Sequence, residues 1–197
     1  MFRYFIFYKP FQVLSQFSKE GDKKTLAEYF SSIPKDVYPV GRLDYDSEGL
    51  LLLTNDKQLS HRLLEPRYRH ERTYWVQVEG TVTQEAVNKL ESGVGISVNG
   101  KPYKTLPATA NLFSETPLIP ERNPPIRFRK SIPDSWLSLT LFEGKNRQVR
   151  KMTAAVGFPT LRLIRYSIGS MTIEGLSPGE SREIAGDESA RFLEKLH

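Results

Sequence analysis

The stretch Gly41-Arg42-Leu43-Asp44-Tyr45-Asp46-Ser47-Glu48-Gly49-Leu50-Leu51-Leu52-Leu53-Thr54-Asn55-Asp56 decides the fold. Three carboxylates and one arginine lie between Gly41 and Gly49, and four leucines follow without a break. An uninterrupted apolar run reads as a strand covered on both faces, so the polar loop ahead of it is pinned to the core. A solvated turn needs no such anchor, and the loop therefore reads as a site held still by the leucines. Gly41 and Gly49 supply the positive φ or close backbone approach that a sharp turn beside a ligand requires. Asn55, with Gln58 three residues on, resembles a capping box that opens the next helix.

Working outward, Phe2 to Tyr8 is aromatic and β-rich and stops at Lys9-Pro10, which predicts a first strand. Leu26, Tyr29 and Phe30 at helical spacing predict a short helix over Thr25 to Ser31. Val37 to Val40 is read as a second strand, and Asp56 to Leu64 as a helix with Leu59 and Leu63 on one face. From Thr73 to Glu79 the residues alternate, putting Tyr74, Val76 and Val78 on the packed side. Thr83 is the expected N-cap of a helix to Leu90, and Asn99-Gly100 the turn of a hairpin. Leu118 to Pro133 is rich in proline and basic residues and reads as a stiff exposed loop, either an RNA-facing arm or an insertion.

Further on, Trp136 to Phe142 alternates as a strand, and Glu143-Gly144-Lys145-Asn146 turns into a helix from Arg147 to Val156. Its apolar face is Val149, Met152 and Val156, with Arg147, Arg150 and Lys151 opposite. Thr160 to Ile168 follows as a strand carrying Arg162 and Arg165. Residues 1–180 are expected to form the main domain, and residues 181–197 an acidic tail with a short helix through Phe192, Leu193 and Leu196.

A chain of 197 residues buries enough surface to fold without staples. It contains no cysteine, which excludes disulfides and thiolate metal sites and fits a reducing cytoplasm. No apolar stretch reaches membrane-spanning length, so no membrane partner is expected. The net charge of +5 is unevenly placed: Arg122 to Arg165 holds ten Lys or Arg against Asp134 and Glu143. That separation points to a polyanion such as nucleic acid, or equally to an ordinary solvated basic face.

Asp44, Asp46 and Glu48 have the opening spacing of a calcium loop, but Asn55 stands where the bidentate glutamate should be. A carboxylate pair for glycoside hydrolysis leaves the basic half of the chain without a role. His61, His70 and His197 have neither metal-ligand nor triad spacing. A third option is a single aspartate kept ionised by Arg42 or by an arginine of residues 147–151, ready to act as a nucleophile.

The residues here become specific. Gly41-Arg42-Leu43-Asp44 with Ser47-Glu48-Gly49 and the leucine run resembles the signature loop of the RsuA-like family of ribosomal RNA pseudouridine synthases. Lys9-Pro10 resembles the family's first motif, Arg72-Thr73-Tyr74 its tyrosine strand with arginine where lysine is usual, and Glu143 to Met152 its third motif. Gly157 through Arg165 matches the closing strand. The resemblance implies an α+β fold: a mixed, largely antiparallel sheet with flanking helices, in two lobes with a central cleft. It implies that Asp44 is the nucleophile, that Arg42 displaces the target nucleotide, that Tyr74 stacks on the uracil and that Arg150 pairs with Asp44. Lys9, Lys145 and Arg147 are implied substrate contacts, and Leu141 and Leu163 implied cleft walls. Neither cofactor nor metal is implied. The first motif falls at residue 9, so the chain is expected to belong to the short branch without an S4 domain, acting as a cytoplasmic monomer on 23S rRNA. The reading from another class is a non-catalytic RNA-binding or assembly module on the same fold.

Overall fold

Aromatic and aliphatic side chains alternate through the N-terminus and form the first strand, β1 (Tyr4–Lys9), every residue of which is buried. The computed structural model describes residues 1–126, 132–184 and 188. It divides into two compact units, Met1–His70 with Arg165–His197, and Glu71–Ile164.

In the first unit, β2 (Val13–Leu14) and β3 (Lys24–Thr25) form a short parallel pair. The helix expected over Thr25 to Ser31 is only a 3-10 turn, Leu26–Glu28. Its apolar residues are used in packing: Leu26 is fully buried, and Tyr29 and Phe30 set their rings 5.4 and 5.2 Å from that of Phe7. The second strand shortens to β4 (Tyr38–Pro39). β5 (Glu48–Thr54) contains the leucine run, and all seven of its residues are buried, as a strand covered on both faces requires. β5 pairs antiparallel with β1, Leu53 opposite Phe5 and Leu51 opposite Phe7, and β4 adds at Pro39 opposite Leu53.

α1 (Lys57–Leu64) buries Leu59 and Leu63 as the spacing predicts. Its cap is Asp56 rather than Asn55: one Asp56 oxygen accepts from the backbone N–H groups of Gln58 and Leu59, both at 3.0 Å. Asn55 is engaged elsewhere, accepting from the Arg3 backbone and donating to Asp36.

The second unit begins with β6 (Arg72–Glu79), in which Val76 and Val78 are wholly buried. α2 (Gln84–Glu91) is capped by Thr83, whose hydroxyl accepts from Ala86. β7 (Gly95–Val98) and β8 (Lys101–Lys104) form a hairpin, with Asn99 and Gly100 both at positive φ, 51° and 77°, as a type I′ turn demands. β9 (Thr109–Leu112) and β6 flank β10 (Asp134–Leu141), both antiparallel to it. α3 (Gln148–Ala155) lies on this side of the fold and buries Val149 and Met152. The core of the unit joins Val76, Val78, Leu137, Leu139, Val149 and Met152. Between β9 and β10 the described residues have no regular structure; Arg122 folds back onto the carbonyls of Pro124 and Pro125, and Arg162 donates to that of Pro120. Arg127, Arg129 and Lys130 of the expected basic arm lie outside the described residues.

β11 (Thr160–Ile168) enters both units, contributing up to Ile164 to the second. In the first unit it is followed by β12 (Met171–Thr172) and β13 (Ser181–Ile184). Ser181 is therefore not the start of a tail: β13 pairs antiparallel with β1, Ile184 opposite Tyr4. The helix expected through Phe192, Leu193 and Leu196 lies outside the described residues. Strand order is β13-β1-β5-β11 in the first unit and β11-β6-β10-β9 in the second. The antiparallel pairs and flanking helices make the mixed α+β fold that the resemblance implies. No helix among the described residues is long and apolar enough to cross a membrane.

Candidate active site

The Asp44 loop is fixed on both sides of its carboxylate. The Ser15 hydroxyl donates to the Leu43 carbonyl at 2.9 Å and accepts from the Leu43 N–H at 3.1 Å. On the other side the Gln12 N–H donates to the Tyr45 carbonyl at 2.8 Å, and the Ser47 N–H closes a turn onto the Asp44 carbonyl at 3.0 Å. Leu43 is buried beneath, so Asp44 sits partly exposed on a loop with little freedom. Arg42 is exposed beside it.

Both loop glycines have the backbone the sequence predicts. Gly41 has φ +69° and Gly49 φ +106°. A Cβ at Gly49 would lie 2.6 Å from the Arg165 backbone nitrogen, so only glycine lets the two strands approach there. Arg165 is itself buried and donates from Nε to the Leu50 carbonyl at 2.8 Å.

Lys9 departs from expectation. It is fully buried, and Nζ donates to the carbonyls of Val13 at 2.7 Å and Pro10 at 2.9 Å. A side chain so enclosed does not touch substrate; it works inside the protein. Burial pushes its pKa down to about 7, while Glu48, Asp46 and Asp44 pull it back up and Arg165 lowers it further. The acidic residues of the loop thus act on a lysine enclosed within the protein. Among the described residues no three His, Asp or Glu side chains converge as a metal-ion site.

In the second unit Tyr74 lies opposite Leu139 and packs partly buried against the core. Leu141 and Leu163, expected as cleft walls, are buried members of that same core. Around the start of α3 the charges differ from the helical face the sequence predicts. Arg147 is not in the helix but caps it at φ +53°, exposed, with Arg150 half-buried one turn later. The Lys145 ammonium sits 5.0 Å from the centre of the Tyr103 ring.

A buried carboxylate that residue patterns did not single out holds this turn. Glu143 accepts from Gln148 Nε2 at 2.7 Å and from the Leu106 N–H at 2.9 Å, and the Tyr103 hydroxyl also donates to it. That bond, with burial and the nearby charge, raises the Tyr103 pKa. Gln148 in turn accepts from the Lys145 N–H. Its place in the Glu143 to Met152 motif does not distinguish an anchor from a reactive acid. Ser15 gave no signal at all.

The framework is a mixed α+β fold, and on it the Asp44 carboxylate stands on a loop clamped through Leu43 and Tyr45. Residues 3–155 match the family described as RNA pseudouridylate synthase. The chain belongs to that family and is a pseudouridine synthase. It is 51% identical over 181 residues, 91% of its length and 74% of the relative's, to ribosomal large subunit pseudouridine synthase E of Vibrio vulnificus. Identity is also 51% to the protein of that name in Xanthomonas axonopodis pv. citri, over 86% of this chain and 87% of the relative. A crystal structure of a pseudouridylate synthase covers the whole chain and 74% of its own at 29% identity, with a TM-score of 0.78.

Proposed function

We propose that this chain isomerises a uridine of large-subunit 23S rRNA to pseudouridine, with Asp44 as the nucleophile. The observation that carries the assignment to Asp44 is the clamping of its neighbours, Leu43 by Ser15 and Tyr45 by Gln12. A nucleophile on so constrained a loop attacks without first being ordered. The choice of large-subunit rRNA is supported by the names of the relatives in Vibrio and Xanthomonas.

The reaction breaks the N1–C1′ bond, turns the uracil over and forms the C5–C1′ bond. The C5 proton is lost and N1 gains one, so atoms and electrons balance without an oxidant. As nucleophile, Asp44 donates an electron pair to an electron-poor carbon of the nucleotide, and that bond breaks again to free the carboxylate when the C5–C1′ bond has formed. Arg42, exposed on the same loop, takes the place of the displaced nucleotide in the RNA stack. Tyr74 offers its ring to the uracil, and Arg150 is the cation this reading assigns to the nucleophile. Lys145 and Arg147 meet phosphates. Mapping pseudouridine in 23S rRNA from cells with and without the gene tests this reading. One modified uridine is expected to disappear from the deletion strain, and an unchanged map overturns it.

A further inference from the structure

The strongest feature outside the acidic loop is a basic and aromatic recess on α1 and the 3-10 turn that follows it, Pro66–Tyr68. Lys57, Gln58, His61, Arg62 and Tyr68 line a hollow of about 430 Å³. The buried face of α1 is used up by Leu59 and Leu63, so these side chains stand on its outer face. Tyr68 keeps 40% of its surface exposed. Its ring is set by Arg67, whose guanidinium carbon lies 4.9 Å from the ring centre and whose Nη2 donates to the tyrosine oxygen at 3.2 Å. The His70 ring stacks near it at 6.0 Å and 22°. From Lys57 to His70 the chain carries Lys57, Arg62, Arg67 and Arg69 against Glu65 alone.

A part-exposed tyrosine ring beside clustered cations suits one kind of ligand: a sugar-phosphate backbone with an unpaired base to stack. A solvated helix face would keep its charges dispersed and would have no reason to hold an exposed ring in a cationic frame. We propose that this recess is a second RNA-binding surface, at which Lys57 and Arg67 meet phosphates and Tyr68 stacks on an unpaired base of the substrate RNA. The proposal rests on the reading of the chain as an RNA-isomerising enzyme. It adds to that reading a contact made away from the acidic loop's own residues.

The test compares wild type, Lys57→Ala/Arg67→Ala, Tyr68→Ala and Tyr68→Phe for binding to a protein-free 23S rRNA transcript across a salt series, with pseudouridine formation measured separately. The double variant is expected to bind more weakly, with the slope of log K against log salt reduced by roughly 1.5 to 2 for two lost phosphate contacts. Tyr68→Ala is expected to weaken binding about tenfold and Tyr68→Phe to restore it, since one stacked base is worth about 1–3 kcal/mol. Unchanged affinity and slope in the double variant, or equal weakening by Tyr68→Ala and Tyr68→Phe, overturns the proposal. Because binding is read apart from isomerisation, wild type that forms no pseudouridine overturns the enzymatic reading alone.

Discussion

Ser15 Oγ holds both backbone groups of Leu43, donating to its carbonyl and accepting from its N–H, and so fixes the residue directly before Asp44. The hydroxyl is buried, and water does not replace it easily. Ser15→Ala leaves two backbone groups unsatisfied, which costs about 1–3 kcal/mol of stability. The effect on catalysis is expected to be larger: a displacement of about 1 Å at the nucleophile lowers the rate by as much as 100-fold. Single-turnover kinetics beside a thermal melt separates the two, with kcat falling and KM near its starting value.

Gly49→Ala tests how the loop joins the sheet. The new methyl group meets the Arg165 backbone in a strand buried on both sides, at a φ of +106° that alanine rarely adopts. Neither strand has room to move, so a loss on the order of 3 kcal/mol is expected from strain and overpacking. A denaturation midpoint equal to wild type contradicts the packing described for β5 and β11.

Lys9 makes stability depend on pH in an uncommon direction. Its pKa falls from 10.5 to about 7 on folding, chiefly through burial. Between those values the unfolded chain binds the extra proton, so stability rises with pH from about 7 upward, by at most about 1.4 kcal/mol per unit. Below about pH 7 both states are protonated, and the cost of burying the ammonium is present in full. Chemical denaturation of wild type and Lys9→Met from pH 6 to 10 checks the sign: the wild-type curve rises relative to the variant. A difference that is flat, or falls, contradicts it.

Glu143→Ala removes the carboxylate that gathers Gln148, Leu106 and Tyr103. Three donors lose a charged acceptor in a buried place, and a destabilisation of about 3 kcal/mol is expected. The Tyr103 hydroxyl should then titrate at lower pH, since the bond to Glu143 is the first cause of its raised pKa. Spectrophotometric titration follows that change directly.

What could be read from residues alone was whatever repeats in the pattern of the chain. The leucine run of β5 and the alternation of Val76 and Val78 in β6 are patterns of apolar burial, and the sheet is built from them. Thr83 was legible as a cap because it has no rival beside it, whereas Asn55 and Asp56 compete for one position, and the Arg3 N–H, distant in sequence, settles the choice. β13 was hidden because Ser181 to Glu183 are exposed and pair through their backbones, leaving no apolar rhythm. Lys9 was expected to contact substrate, and lysine is seldom fully buried; only the fold supplies the carbonyls and carboxylates that let it be enclosed. The same gap explains Ser15 and Glu143, whose roles exist only once distant segments meet.

The central claim is that the Asp44 carboxylate performs the chemistry. Asp44→Asn keeps the size and the turn and removes the charge. With purified protein and a 23S rRNA transcript, the variant should melt like wild type and bind RNA within about twofold, yet its single-turnover rate of pseudouridine formation should fall by at least ~10³-fold, as loss of a nucleophile demands. Pseudouridine formed by the folded variant at the wild-type rate contradicts the account and leaves a chain that binds RNA without Asp44 as its nucleophile.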